Sequence, residues 1–575
     1  MDNDDLQYID RIVEAPDDDA PRLQYADYLT SQNDPRGEFI RVQCALAKRA
    51  RHGEEYWSLR QRELDLLAIH GPDWRAAVRA ALGPGAPSQI QFQRGFVESF
   101  PNDDCFGDVG PRLLQKVPTL RHLVVTMYDT TSTKKSVWEE VGLGDDPPQH
   151  TTDELSRCER FGQIDQLSIK SDPMSGEPPT SEQLAALLGS PWLQSLKSLQ
   201  FRGLGLDRRF SRMLGTLPAL KQLRELEFEF NFKGDRFPSF GKSGLQNTLE
   251  SFKWSGVQTR RRIRKLFGKG ITFPRLKRLD FDSGDLDDHV AKAWSANDRI
   301  SPISFLRLEG SFRERGVSAI VQAPWATQLK TLSLSSETMN DNALTAIAGC
   351  PARDSLEELS VQAGCMGVGG AQTLARSSLP HLRQVGWGAW EESVFGREHA
   401  RAFVEAAWWS QLKSFSIWEC PIDSDAAEIL GKNWPPQLES LCISCKLNRG
   451  QIPALFPKNR PLHSLRSLVL SDCEIAESEL VHLSGCDSFP QLLSLDLSSN
   501  VLSETGFCEL VESSLAECVR ILDLREAEEI GERGFRAMAE SSQLKHLNKL
   551  RLDGCDHAIE FEYKRLEERF GDRLG

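Results

Sequence analysis

The stretch Asp285-Leu-Asp-Asp-His-Val290 sets three carboxylates and an imidazole within six residues. That donor set could hold a divalent cation. It also opens an apolar-periodic segment, so Asp287 as a helix N-cap with His289 on the surface accounts for it more simply. The eleven histidines of the chain are otherwise scattered, without ligand spacing. Phosphate-loop, GxSxG and HExxH sequences are lacking. Cys44 falls on an apolar helix face, which suits a buried thiol better than a nucleophile. Against the acidic balance of the whole chain stands "QTRRRIRKLFGKG", with Arg260, Arg261, Arg262, Arg264, Lys265 and Lys269. A solvated helix surface is the plain reading of this run; docking of an acidic protein or a phosphate backbone is the sharper one.

The elements that position these groups follow from bulk properties and periodicity. A chain of 575 residues is too long for one compact core, so several domains or a repeat array are expected. Its 40% hydrophobic and 26% charged content suits a soluble folded protein. A formal charge of −14 argues against wholesale coating of nucleic acid. The start, "MDNDDLQYID", has no apolar core of a secretory signal, and no apolar run approaches the roughly 18–20 residues that span a bilayer. Thirteen cysteines are then expected to be reduced, in a cytoplasmic setting.

The pattern apolar-x-x-apolar-x-apolar recurs sixteen times, from "LRHLVV" at Leu120 through "LKSLQF" at Leu196 and "LLSLDL" at Leu492 to "LNKLRL" at Leu547. From Leu196 onward the starts fall 26 to 28 residues apart, with one step of 30. Internal periods of this size mark a solenoid. Between rungs, Val317, Ile320 and Val321, then Leu344, Ile347 and Ala348, then Phe507, Leu510 and Val511 have the spacing of one buried helix face. Each unit therefore reads as a short strand and a full helix. This resembles the ribonuclease-inhibitor-like class of leucine-rich repeats. Strands stack about 4.8 Å apart and helices about 8–10 Å apart, so an α/β solenoid is expected to curve as a horseshoe, with parallel strands inside and helices outside. Asn500 stands where that family places Asn or Cys after the strand, and Cys420, Cys473 and Cys555 take the equivalent place. Ladder positions explain these cysteines better than a metal or redox site. Trp254 and Trp387 fill leucine positions and are expected in the core.

Residues 1–85 lack the repeat and form a small all-α region in this reading. Helices are expected up to Pro16, over Ala20 to Ser31, over Pro35 to Arg49, and from about Glu54 until Gly71 ends the last one. Asp17, Asp18 and Asp19 precede a helix start, where carboxylates offset amide dipoles; capping explains them better than a metal does. "DDDAPRLQYADYL", "DPRGEFIRVQ" and "LLAIHGPDW" resemble the bacterial repeat-companion domain, and "RGFVESF" from Arg94 resembles the strand that follows it. The resemblance implies an architecture, with the module covering the apolar end of the first repeat, and no particular chemistry. The expected organisation is a helical domain at 1–85, a cap strand and linker at 86–118, and about sixteen repeats at 119–575. A polar loop insertion is expected near 128–160.

Side chains alternate along a strand, so the concave face should carry Glu225, Glu227, Glu229, Arg278, Asp280, Asp282, Arg307, Glu309, Glu358, Trp418 and Asp496. Its early half is charged and its later half serine-rich. Trp418 is either an interface anchor or packed against neighbouring rungs. The expectation is a non-enzymatic scaffold, without cofactor or metal, that recognises a macromolecule, in the first place a protein, as adaptor, inhibitor or recognition subunit. The alternatives are the substrate-recognition part of an enzyme such as a ubiquitin-ligase-like effector, and a nucleic-acid-associated subunit using the basic run at 260–269. No membrane association is expected.

Overall fold

In a computed structural model of the chain, sixteen parallel strands follow one another in chain order, each leading into a helical connection. The structure describes residues 3–83, 90–100, 110–127, 152–171, 177–204, 208–214, 216–229, 244–256, 259–268, 271–390, 393–485, 488–555 and 560–574. Two compact units divide them. The first holds residues 1–47 and 75–329, the second residues 48–74 and 330–575. Most of the expected loop insertion, up to Thr151, lies outside the described residues; from Thr152 the chain is helical.

In the first unit the strands are β1 (His122–Thr126), β2 (Gln166–Lys170), β3 (Ser198–Arg202), β4 (Glu225–Glu229), β5 (Ser251–Ser255), β6 (Arg278–Asp282) and β7 (Phe305–Gly310). In the second they are β8 (Thr331–Ser336), β9 (Glu358–Ala363), β10 (Gln384–Ala389), β11 (Ser414–Trp418), β12 (Ser440–Ser444), β13 (Ser467–Leu470), β14 (Ser494–Asp496), β15 (Ile521–Asp523) and β16 (Lys549–Arg551). Pairing is in register: Leu226 stands beside Leu199 and Phe252, and Phe415 beside Val385 and Leu441. The sheet is therefore open and wholly parallel. In each unit the buried face is a stack of Leu, Ile, Val and aromatic side chains, with Trp254 inside the first and Trp387 inside the second.

The helices pack that face from the other side because their apolar residues recur at i, i+3 and i+4. Val317, Ile320 and Val321 are buried in Glu314–Val321, and Phe507, Leu510 and Val511 in Glu504–Val511. Caps start them: Asp287 accepts from the amides of His289 and Val290 at 3.0 Å, and His289 is exposed. Asp288 then accepts from Arg313 and Gly316 amides of the next helix at 2.7 and 2.9 Å, so one repeat caps its neighbour. After the strands, Asn500 donates to the carbonyls of Leu470, Leu497 and Ser498 and accepts from the Cys473 amide. Cys473, Cys420 and Cys555 point Sγ at the carbonyls of Ile443, Ser393 and Leu524. Each satisfies turn carbonyls that the ladder leaves open.

The N-terminal helices are α1 (Asn3–Glu14), α2 (Ala20–Ser31), α3 (Arg36–Ala47) and α4 (Glu54–Leu82). Ile9, Ile12, Tyr25, Ala26, Leu29, Ile40, Cys44 and Phe96 make a common core. Gly71 does not end α4, contrary to the sequence expectation; the helix runs through Gly71 and Pro72 to Leu82. The far side, "DWRAAVRAAL", is rich in good helix formers, and Arg75 and Leu82 are buried there. The turn at Arg94 and Gly95, both at positive φ, lies against α3. A Cβ at Gly95 would overlap Ile40, and the Gly95 amide donates to Gln43. The amides of Arg121 and His122 both donate to the Glu98 carbonyl, as those of Asp165 and Gln166 do to that of Arg121. "RGFVESF" thus stands as a rung before β1. Among the described residues no helix is long and apolar enough to cross a membrane.

Candidate functional site

On β3, β4, β5, β11 and β12 burial alternates, so the first, third and fifth side chains turn away from the core; on β1, β2 and β6 the third is buried as well. In the first unit this face is an ionic mosaic. Lys253 pairs with Glu227 at 2.6 Å, Arg202 with Glu229 at 3.1 Å, and Ser255 hydrogen-bonds Asp282 at 2.8 Å. Arg278 lies 3.4 Å over the Phe305 ring and 3.6 Å from Asp280. Asp280 is buried, and desolvation raises its pKa while Arg307, Arg278 and Lys253 pull it down. Glu225 and Arg307 are exposed and Glu309 is half-buried. The strands thus gather Arg307, Arg278, Lys253 and Glu227 around the Asp280 carboxylate.

The second unit differs. Serine dominates its outward positions, Glu358 is held by Thr331 and Gln384, and Asp496 by Ser498. Glu358, Trp418 and Asp496 stand on β9, β11 and β14 and form no cluster. Trp418 is half-buried because its indole lies across Gly386 and Gly388 of β10. A Cβ on Gly386 would come 2.8 Å from Cζ3, and one on Gly388 would run into Cε2 and Nε1. Glu419, next along, reaches over β10 to Gln362 of β9 at 2.6 Å. Trp418 is therefore packed on one side against the neighbouring strand.

The basic run sits on the helix Arg260–Leu266, away from the strands. Arg260 pairs with Asp287 at 2.6 Å, while Arg261, Arg264 and Lys265 are exposed. Arg262 belongs to this helix, and Lys269 lies outside the described residues. Cys442 on β12 and Cys445 just after it have CxxC spacing, but alternation turns Cys442 outward while Cys445 is buried, and both thiols are free. Burial pushes them up to about 11 and about 12, so neither is a ready thiolate. Among the described residues no three His, Cys, Asp or Glu side chains group as metal ligands.

One set of candidate residues escapes a search of outward strand positions. Within each unit, the residue just before a strand accepts, through its carbonyl, both amides that open that unit's next rung. These residues form their own column: Arg121, Asp165, Lys197, Arg224, Glu250, Lys277 and Ser304 in the first unit. In the second unit it reads Lys330, Glu357, Arg383, Lys413, Glu439, Arg466, Leu493, Arg520 and Asn548. Four times a carboxylate is flanked by two cations. Arg121 pairs with Asp165, and Lys197 lies 3.5 Å from it. Lys277 is 2.6 Å and Arg224 3.8 Å from Glu250; Lys330 is 2.7 Å from Glu357, and Lys413 2.6 Å from Glu439.

The N-terminal region docks on this column within each unit. In the first, Asp17 bridges Arg121 at 2.7 Å and Lys197 at 2.6 Å. The bonds from Lys197, then Arg121, hold its carboxyl down at about 2. Of the acidic triplet only Asp18 caps by side chain, taking the Ala20 amide; Asp19 at the N-cap makes no such bond. Two cations outbid an amide for Asp17, since charge-assisted bonds are the stronger. Arg22, itself buried, adds a 2.6 Å bond to Glu98. In the second unit the Gly53 amide and Trp57 Nε1 donate to Glu439, and Arg520 meets Asp65 at 2.7 Å. A groove of about 520 Å³ runs in the first unit between Asp17, Ala47 and Arg94 on one side and Arg121, Lys197, Arg224 and Glu250 on the other.

In-register parallel strands, a helical connection after each, and an Asn/Cys ladder together define an α/β solenoid of the leucine-rich-repeat type. No protein-family model matches the sequence, and no curated protein does. Among solved structures, the complex of TLR13 with ssRNA13 is 12% identical over 79% of this chain, with a TM-score of 0.37. This chain spans only 59% of that one. The yeast Rad7 and Elc1 complex is 13% identical over 79% of this chain and 92% of the other, also at 0.37. Scores this low carry no argument, and the class rests on the register of the chain itself.

Proposed function

We propose that this chain is a recognition scaffold with no catalytic step of its own. It binds a protein partner through the outward face of its strands, as an adaptor, an inhibitor or the recognition subunit of a larger assembly. One observation carries the reading: a strictly repeating backbone displays a non-repeating set of side chains, ionic on β3 to β7 and serine-rich with Trp418 on β8 to β14. A rack of this kind loses little backbone entropy on binding, so affinity comes from pre-organisation, and a half-buried indole on a glycine floor suits an anchor. The resemblance of the first hundred or so residues to the bacterial repeat-companion domain supports a bacterial setting with that module closing the first repeat, and thirteen cysteines read as reduced thiols support a cytoplasmic one. A nucleic-acid role would rest on the helix Arg260–Leu266, where Asp287 already engages Arg260.

The test is retention of a purified partner by three forms of the full chain: unaltered, Trp418→Ala, and Glu227→Lys with Asp282→Lys. The expected outcome is retention by the first and loss from at least one variant, with each variant still folded by circular dichroism. A partner indifferent to both variants removes the outward face from the account.

A further inference from the structure

Each of the four clusters before the strands places two cations around one carboxylate, which leaves one positive charge over. Two of the four are engaged by the N-terminal region, the first through a carboxylate and the last through hydrogen-bond donors. Asp17 spans Arg121 and Lys197 in the first cluster. In the last, Glu439 takes the Gly53 and Trp57 donors. The covered cations are less exposed: the Arg121 side chain is 12% exposed, that of Lys197 37% and that of Lys413 14%. Arg224 and Lys277 have the same places around Glu250, yet remain 61% and 67% exposed. Among the described residues no carboxylate of the N-terminal region reaches them.

We propose that Arg224, Glu250 and Lys277 form a docking site for an acidic side chain of a protein partner, which would lie across the two cations as Asp17 lies across Arg121 and Lys197. The molecule itself supplies the precedent for the ligand and its pose. Glu250 keeps the two cations apart and oriented, as Asp165 does in the occupied copy. The neighbouring outward positions do not oppose an anion, because Glu225 beside Arg224 is offset by Arg278 beside Lys277. Arg224 and Glu250 also line the groove whose other end holds Asp17, so an extended acidic segment has a path along the column. This inference stands on the residues before the strands and does not rest on the outward-face reading.

The experiment titrates the full chain against fluorescein-labelled hexaglutamate at low ionic strength and reads anisotropy. Arg224→Ala with Lys277→Ala is expected to raise Kd about tenfold or more, the scale of losing two charge-assisted bonds. Arg261→Ala with Arg264→Ala removes equal charge from an outer helix and is expected to change Kd less than about twofold. Both pairs are exposed, so thermal midpoints stay in place and a folding defect is separable. Absence of peptide binding, binding unchanged by the first double variant, or loss confined to Lys330→Ala with Arg383→Ala overturns the proposal. Tighter binding of an oligonucleotide of equal charge at this triad overturns it too, by making the partner a nucleic acid.

Discussion

Gly388→Ala is expected to unseat the Trp418 indole, and the sign of its effect depends on that indole being present. The added methyl would enter the space of Cε2 and Nε1, and β10 cannot withdraw because β9 and β11 pair with it in register. Overpacking of this kind costs about 1–3 kcal/mol. Gly388 is not at positive φ, so alanine fits its backbone. With the indole removed, only the entropic gain of Gly→Ala remains, about 0.4–1 kcal/mol of stabilisation. Urea unfolding of the wild type, Gly388→Ala, Trp418→Ala and the double variant closes the cycle. The expected coupling is about 1.5–4 kcal/mol, within the range seen for residues in contact. A Gly388→Ala protein as stable as the wild type would refute the seating of Trp418, and with it the reason for two glycines on one strand.

Asn500→Ala leaves the buried Cys473 amide and three carbonyls without their side-chain partner; orphaned buried groups cost about 1–3 kcal/mol each before relaxation, so a loss of roughly 3 kcal/mol is expected. Hydrogen exchange should show it as faster exchange at the Cys473 amide, with little change at distant rungs. The Asp17 carboxyl lies at about 2 in the folded chain against 3.8 unperturbed. Its contribution is therefore full above about pH 4 and lost as pH falls through 2. In Asp17→Asn the thermal midpoint should change less steeply across that window than in the wild type, while the two converge at its acid end.

The repeat was legible because its signal lies along the chain: Leu492, Leu495 and Leu497 mark a rung without knowledge of any neighbour. Asn500 and the bounds of α2 were legible for the same reason. What could not be read depends on the next rung. Trp418 is seated by Gly386 and Gly388, some thirty residues earlier, and they match it only once β10 and β11 are in register. The cation–carboxylate–cation clusters hide likewise, since Arg224, Glu250 and Lys277 look like isolated surface charges until stacked. Writing the rungs beneath one another and reading the column before each strand would have found them. At Gly71 a local stop signal gave way to the helix formers and buried contacts beyond it. The acidic triplet misled because a cap at Asp17 is a local explanation, whereas the cations that claim its carboxylate come from two separate repeats.

The sulfur atoms that finish several of the turns have a practical consequence. Cys420 and Cys473 are enclosed, and burial raises both thiols, Cys420 to about 12. An alkylating reagent needs a thiolate and room to approach, so it can label either position only while that part of the stack is open. In stacks whose units touch only their neighbours, opening is local. The chain thus contains its own gauges of fraying, and labelling rates at Cys44, Cys350, Cys420 and Cys473 would report where along its length it comes apart first.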